Sequence, residues 1–200
     1  GVFDTTAHEY FHTWNLMHVR PTERVGVRYR PADATGELWW CEGVTIYFSD
    51  LMLRRAQLPT FEPTRVSRLE TYIAAYLFTP GYARNSAERV SRAAEDPLAL
   101  GDDSASTHLQ GSLLGAMLDL MIREATHWQR SLDDVMRTLS ARFTPQRGIT
   151  GRDIERAVHE VCACDAHTFF ETYVRGARSI EFDQYLKSIG MRTQVSWSPA

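Results

Sequence analysis

The stretch that decides the fold is TTAHEYFHTWN, residues 5–15, where two histidines stand four positions apart and a glutamate follows the first. On an α-helix of 3.6 residues per turn, His8 and His12 lie on one face, so both imidazoles can reach one cation. Glu9 projects about 100° away from His8, too far for a third ligand but near enough to contact a metal-bound water. The spacing predicts two metal ligands and a neighbouring base. The alternative is a helix with three polar residues on a solvent-facing side.

A third ligand is expected because hydrolytic zinc sites usually have three protein ligands and an open position for water. ELWWCEGVTIYFSDLMLRR, residues 37–55, has apolar residues at helical spacing and predicts a second amphipathic helix with Glu42 near its start. A carboxylate flanked by Trp40 and Val44 should be partly buried, and such a group needs a cation or a partner. Glu42 is therefore the candidate ligand. The alternative is an ordinary first-turn acid favoured by the helix dipole.

These two segments resemble a known family. HEYFHTWN, residues 8–15, followed by LWWCEGVTIYFSDLMLRRAQL, residues 38–58, is similar to the glycyl aminopeptidase family of gluzincin zinc metallopeptidases. GSLLGAMLDLMIREATHWQRSLDDVMRTL, residues 111–139, resembles the helix pair that follows the metal site in that family, and FFETYVRGARSIEFDQYLKSIGM, residues 169–191, resembles the end of its catalytic domain. Members usually carry this domain between a β-rich domain and a PDZ domain.

The resemblance implies a site and a reaction. One zinc ion would be bound by His8, His12 and Glu42, with Glu9 as the catalytic carboxylate. The chemistry implied is aminopeptidase-type hydrolysis of peptide bonds, in which zinc activates a water and Glu9 acts as general base. The implied fold is mainly α, a gluzincin (thermolysin-like) catalytic helical domain with little β structure.

One position departs from the family pattern. Related enzymes carry a Tyr-x-Lys-Gly segment, whose tyrosine hydroxyl helps to hold the oxyanion, whereas this chain reads HLQG at residues 108–111. His108 stands at the tyrosine position and can still donate to an oxyanion, although one lost donor costs about 100-fold to 1000-fold in rate. We predict a catalytic role for His108 beside Glu9. The alternative is a surface residue that caps the helix starting near Ser106.

Two other functional hypotheses remain open at this point. The first is a metallopeptidase-like binding module that keeps the zinc site but has weak or no catalysis, because His108 replaces the tyrosine. The second is a helical domain without any metal. A zinc-bound histidine usually donates its other ring N–H to an outer partner, a second protein group. The candidates for this outer partner are the carboxylates and the hydroxyl nearest in sequence: Asp4, Thr45 and Asp50.

Length and composition favour a single domain. The chain has 200 residues, 44% of them hydrophobic, so it can bury a sizeable core. We expect residues 1–200 to form one catalytic domain. The family's Gly-Gly-x-Glu-His segment has no counterpart ahead of Gly1, which favours a domain excerpted from a longer multidomain protein with flanking domains.

Charge and hydropathy narrow the range of expected binding partners. The net charge of −3 at pH 7 gives no electrostatic reason to expect binding to nucleic acid or to an anionic membrane. No apolar run is long enough to cross a bilayer, so no membrane insertion is predicted. The expected partner is a peptide substrate, and the sequence is compatible with the cytoplasm and the periplasm alike.

The rest of the chain is predicted to be mostly helical. Capping signals at Ser131, Thr150 and Asp165 mark three helix starts. Residues 80–107 suggest a long surface connection with one helical turn inside it. Strand signals are confined to VGVRYR, residues 25–30, and TQVSWS, residues 193–198. Three cysteines exclude a full disulfide framework, and Cys162 and Cys164 are expected to be buried or free thiols.

Overall fold

The computed structural model describes residues 1–26, 33–60, 63–94, 96–101 and 103–196, and this part of the chain is mainly helical, as predicted. The α-helices are α1 Val2–Phe11, α2 Thr45–Arg55, α3 Arg65–Phe78, α4 Ala87–Ala93, α5 Thr107–Ala125, α6 Leu132–Arg142, α7 Gly151–Cys162, α8 Ala166–Phe169 and α9 Phe182–Leu186. A π-helix at Trp39–Val44 leads into α2, and another at Phe170–Val174 follows α8. Short 3-10 helices occur at Thr22–Arg24, Pro80–Ala83, Pro97–Leu100 and Lys187–Ile189.

The centre of the fold is α5, a helix of 19 residues. Its apolar residues point in every direction, which is typical of a helix surrounded by protein. Leu114, Met117 and Leu118 are completely buried, and the helix packs against the first π-helix and against α2, α3, α7 and α9. Because α5 begins beside the predicted metal site and its middle turns are buried in the core, it anchors one wall of that site.

The first π-helix and α5 cross with their backbones in contact. A Cβ atom on Gly111 would lie 2.0 Å from the carbonyl oxygen of Trp39, and one on Gly43 would lie 2.3 Å from the Cα atom of Gly111. Only glycine fits at both positions. The crossing brings Glu42, the neighbour of Gly43, next to the first turn of α5.

The π-helix corrects one expectation. Residues 37–55 were expected to form a single amphipathic helix, whereas Trp39–Val44 adopt π geometry and regular α-helix begins at Thr45. Insertions of this kind are common at functional sites because they change the direction in which a side chain projects. Trp39 and Trp40 are completely buried here, so both faces of the segment are packed.

The capping predictions are confirmed. Ser131 and Thr150 each form a capping box with the aspartate three residues later, at the starts of α6 and α7. Asp165 accepts a hydrogen bond of 3.0 Å from the backbone N–H of Thr168 at the start of α8. These reciprocal contacts satisfy backbone N–H groups that have no partner within the helix.

The free-thiol expectation for Cys162 and Cys164 is wrong, because these residues form a disulfide. Ala163 lies between them at the end of α7 with φ 50° and ψ 34°. This left-handed conformation turns the chain back on itself, and the two Cα atoms are 5.1 Å apart, a spacing that a disulfide can bridge. Cys41 is a buried free cysteine.

Two further expectations need correction. Residues 80–107 contain more helix than the one expected turn, because α4 and two 3-10 helices lie within their described part, and Ser86 caps α4. Residues 193–196 form no strand, and the rest of TQVSWS and most of VGVRYR lie outside the described residues. In the part of the chain that the structure describes, no helix combines the length and apolar content that a bilayer requires.

Candidate metal centre

The three predicted ligands come together at one point. His8 and His12 project from the same face of the α1 region, and their Nε2 atoms are 3.0 Å apart. Oε2 of Glu42, carried by the first π-helix, lies 3.2 Å from Nε2 of His8 and 3.3 Å from Nε2 of His12. All three side chains are mostly buried, with exposures of 14%, 12% and 20%.

The donor set fits a zinc ion. Zinc binds imidazole nitrogen and carboxylate oxygen at ~2.0–2.1 Å in tetrahedral geometry, so two ligand atoms should be about 3.3 Å apart. The three distances of 3.0, 3.2 and 3.3 Å match one triangular face of such a tetrahedron. Two imidazoles and one carboxylate also form a donor set that is common in zinc hydrolases.

Asn15 holds His12 in position. The Nδ1 atom of His12 lies 3.1 Å from the backbone oxygen of Asn15, and an N–H at Nδ1 leaves the lone pair of Nε2 for a metal. The side chain of Asn15 is completely buried and donates to the carbonyl oxygen of Trp40 at 2.9 Å and to the hydroxyl of Thr45 at 3.1 Å. Asn15 therefore connects the end of α1 to the segment that carries Glu42.

The expected outer partners of the histidines are wrong for His12. Its partner is the Asn15 backbone, whereas Asp4 and Asp50 both form ion pairs with Arg68, at 3.0 and 3.1 Å. The guanidinium attracts both carboxylates because it carries a full charge. The backbone carbonyl was missed because His12 and Asn15 meet only where the chain leaves α1.

Charge is concentrated on Glu42. Burial raises the pKa of its carboxyl, but hydrogen bonds from His108, His12 and His8 outweigh burial and lower that pKa well below its usual range. Burial lowers the pKa of His12, but its contacts with Glu42 and the Asn15 backbone outweigh burial and raise it. Glu42 is therefore ionised at neutral pH, as a metal ligand must be.

Glu9 and His108 line a cleft of about 370 Å³ beside these ligands. Glu9 is exposed on α1, next to His8. Asp4, Arg68 and Tyr72 line the same cleft. A carboxylate at this position can reach a molecule in the cleft without being a ligand itself.

His108 lies in the first turn of α5 and reaches the same site. Its Nε2 is 3.3 Å from Oε2 of Glu42, and its ring stacks near that of His8 with 5.8 Å between centroids. Its Nδ1 lies 3.4 Å from the hydroxyl of Thr107. The ring thus faces the candidate metal centre and not the backbone N–H groups at the helix start, so the capping alternative is not supported.

Comparisons with known proteins agree with this architecture. A solved structure of an aminopeptidase N family protein from Idiomarina loihiensis superimposes with a TM-score of 0.81 at 22% identity, covering 93% of this chain and 32% of that one. At this identity the likeness concerns the fold, and this chain spans about a third of the length of that protein. A search of curated proteins found no match.

A family comparison is more specific. The model of a family described as M61 glycyl aminopeptidase matches residues 2–114. This range contains all four side chains that converge at the candidate metal centre, together with Glu9. Since the match covers more than half of the chain, the protein belongs to the M61 glycyl aminopeptidase family.

Proposed function

We propose that this chain is the catalytic domain of a zinc-dependent metallopeptidase of the aminopeptidase type. The observation that carries the proposal is the convergence of His8, His12 and Glu42, whose donor atoms are 3.0 to 3.3 Å apart. Membership of a peptidase family supports hydrolysis as the reaction. The preference for a free amino terminus rests on the family alone.

The residues around the ion have separate tasks. When bound, zinc supplies a Lewis acid that polarises the scissile carbonyl and lowers the pKa of a water. Glu9 takes a proton from the attacking water at its carboxylate and passes it to the departing amine nitrogen. An N–H at Nε2 of His108 donates to the oxyanion of the tetrahedral intermediate. Asn15 keeps His12 oriented throughout.

We also propose that residues 1–200 are one domain of a longer protein, with flanking domains and a peptide as substrate. The support is the continuous core around α5 and the 32% coverage of the related solved structure. The assay of function therefore belongs on the full-length protein.

The test of the proposed function is hydrolysis of amino-acyl nitroanilides by the zinc-loaded protein and its Glu9→Gln variant. We expect the variant to lose about 100-fold to 10,000-fold in rate, because general acid–base catalysis contributes this much, while it keeps its zinc. Glu124→Gln, at an exposed position in α5, is the matched control and should keep full activity. An undiminished rate for Glu9→Gln, or activity that survives removal of zinc by a chelator, would contradict the proposal.

A second candidate function is a binding module that keeps zinc without turnover. It is favoured by one observation, the imidazole of His108 at the position of the family's tyrosine, 3.3 Å from Glu42. It predicts zinc at about one ion per chain but no hydrolysis by the full-length wild-type protein. Hydrolysis that is lost in Glu9→Gln would exclude it.

A further inference from the structure

The contacts of Glu42 exceed what hydrogen bonding explains. Three imidazole nitrogens approach its Oε2, from His8 at 3.2 Å and from His12 and His108 at 3.3 Å. One carboxylate oxygen has two lone pairs and so accepts about two such bonds. The Nε2 atoms of His8 and His12 are also only 3.0 Å apart, so a bond between them requires one of the two to accept. A cation shared by His8, His12 and Glu42 accounts for the close approach of these three side chains, and it leaves His108 as an additional imidazole at the same carboxylate oxygen.

His108 lies next to the three expected ligands of the ion. Its 3.3 Å distance to Oε2 of Glu42 equals the separation of about 3.3 Å expected between two ligands of one zinc ion. Donor atoms of His8, Glu42 and His108 all lie within 4.8 Å of one another. A rotation of the half-exposed His108 side chain would therefore bring its Nε2 to the ion as a fourth ligand.

We propose that, in the substrate-free protein, Nε2 of His108 is a fourth donor to the metal, so that three imidazoles and one carboxylate surround the ion. This inference rests on the proposed function, since it presumes that the ion is bound. A site with four protein ligands is closed to water. A substrate carbonyl or a competing ligand must then displace His108 before hydrolysis can begin.

His108 is suited to leave and return. Its side chain is 50% exposed, whereas those of His8, His12 and Glu42 are mostly buried. It lies in the first turn of α5 and faces the cleft, so a rotation of its side chain disturbs no core packing. After displacement the ring would stand beside the incoming carbonyl, where it can present an N–H as the donor of the proposed reaction.

The alternative role for His108 is a hydrogen bond from Nε2–H to Glu42, which would orient that ligand without contacting the metal. Loss of such a contact typically lowers metal affinity about 10-fold to 100-fold, so affinity alone does not distinguish the two roles. The protonation state of Nε2 does, because a ligand nitrogen carries no proton.

The test is NMR of the ring nitrogens in 15N-histidine-labelled protein, with His108→Ala used to assign the His108 signals. One equivalent of zinc should move the Nε2 signals of His8, His12 and His108 together and leave none of them protonated. Acetohydroxamic acid, a zinc-binding compound, should then return the His108 signal alone to its metal-free position. His167→Ala, which removes an imidazole outside the cleft, should leave all of these changes intact.

Two outcomes overturn the inference in different ways. If only His8 and His12 respond to zinc, or if Nε2 of His108 keeps its proton, His108 is not a ligand and the proposed function stands unchanged. If no histidine responds to zinc, the inference and the proposed function both fail. Independently of the spectra, His108→Ala should weaken zinc binding at least about 10-fold in chelator competition, and an unchanged affinity would also overturn the inference.

Discussion

Within the residues that the structure describes, two clusters of histidine and glutamate can be compared, and one of the two fits a metal. The metal-site cluster consists of His8, His12, Glu42 and His108. The second, here called the arginine cluster, lines a cavity of about 400 Å³ beside α7 and α8 and consists of Arg152, Glu155, Arg156, His159, His167, Glu171 and Arg175. The two share residue types but differ in how the carboxylates are neutralised.

In the arginine cluster both carboxylates bind the same guanidinium, that of Arg175. Oε1 of Glu155 lies 2.7 Å from Nδ1 of His167, and its Oε2 accepts from Arg175 at 2.7 Å. Arg175 also donates to Glu171 at 2.6 Å. A guanidinium cannot lose its charge at physiological pH, so it neutralises these acids permanently. In the metal-site cluster, three imidazole nitrogens approach one oxygen of Glu42, and a neutral imidazole has a lone pair to offer.

The clusters also differ in how rigidly they are held. Glu42 is positioned by the contact between the backbones at Gly43 and Gly111 and by the buried side chain of Asn15. The arginine cluster lies on partly exposed helix faces, where long side chains can exchange partners. Rigid placement of donors distinguishes a binding site from a network of surface ion pairs.

The largest expected effect is on zinc affinity. Zinc-peptide binding energies of ~10–16 kcal/mol shared by four ligands amount to about 3 kcal/mol per ligand, so Glu42→Gln should weaken zinc binding about 100-fold or more. Glu155→Gln, the matched change in the arginine cluster, should leave the affinity unchanged. Chelator competition measures both. A loss in both variants, or in neither, would break the distinction between the clusters.

The next effect concerns the helix crossing. Gly111→Ala would place a methyl group 2.0 Å from the Trp39 carbonyl, and overpacking against backbone should cost about 3 kcal/mol of the free energy of unfolding. In Gly115→Ala, in the same helix, the added methyl group would contact only side-chain atoms, at 3.2 Å or more. The better helix propensity of alanine offsets ~1 kcal/mol of any packing cost there. Urea denaturation compares the two. Equal free energies of unfolding for the two variants would mean that the backbone contact at Gly111 does not hold Glu42 in place.

A smaller effect is expected in the region of the arginine cluster. The disulfide between Cys162 and Cys164 adjoins the arginine cluster, since Nδ1 of His159 lies 2.7 Å from the Cys164 carbonyl oxygen. Because it closes a very short loop, its removal in Cys162→Ala should cost only about 1.5 kcal/mol. Zinc affinity should remain that of the wild type. A fall in zinc affinity would indicate that the two regions are coupled.

The smallest effect is pH-dependent. Burial raises the pKa of Glu155, but His167 and Arg175 outweigh burial and lower it. Its folded pKa lies below the unfolded value of 4.5, so the stabilisation is present above pH 4.5 and is lost as the pH falls through the folded pKa. Glu155→Gln should therefore cost about 1 kcal/mol or less at pH 7 and less still at low pH, in urea denaturation. A cost that grows on acidification would contradict this assignment.

Much of the metal-site cluster could be predicted from the sequence because its signals are local. The spacing of His8 and His12 follows from helical geometry, and Glu42 stands out as an acid among buried apolar residues. His108 was found only through the family resemblance, since nothing near it in sequence points to a metal. The partner of His12 was missed because a backbone carbonyl leaves no mark in the residue types.

Other features could not be predicted for equally physical reasons. The π-helix at Trp39–Val44 lasts about one turn, which is too short to change the periodicity of apolar residues. The contact between Gly43 and Gly111 joins distant parts of the chain, and glycine alone does not indicate its partner. The left-handed conformation that closes the disulfide occurs at Ala163, a residue type that rarely adopts it.

The most direct test of the account is the zinc content of the wild-type protein after exhaustive dialysis against metal-free buffer, measured by mass spectrometry of the metal. A metal site formed by His8, His12 and Glu42 should retain about one zinc ion per chain, in the wild type and in Glu155→Gln but not in Glu42→Gln. A wild-type protein that is folded and yet retains no zinc would contradict the claim that His8, His12 and Glu42 form a metal site.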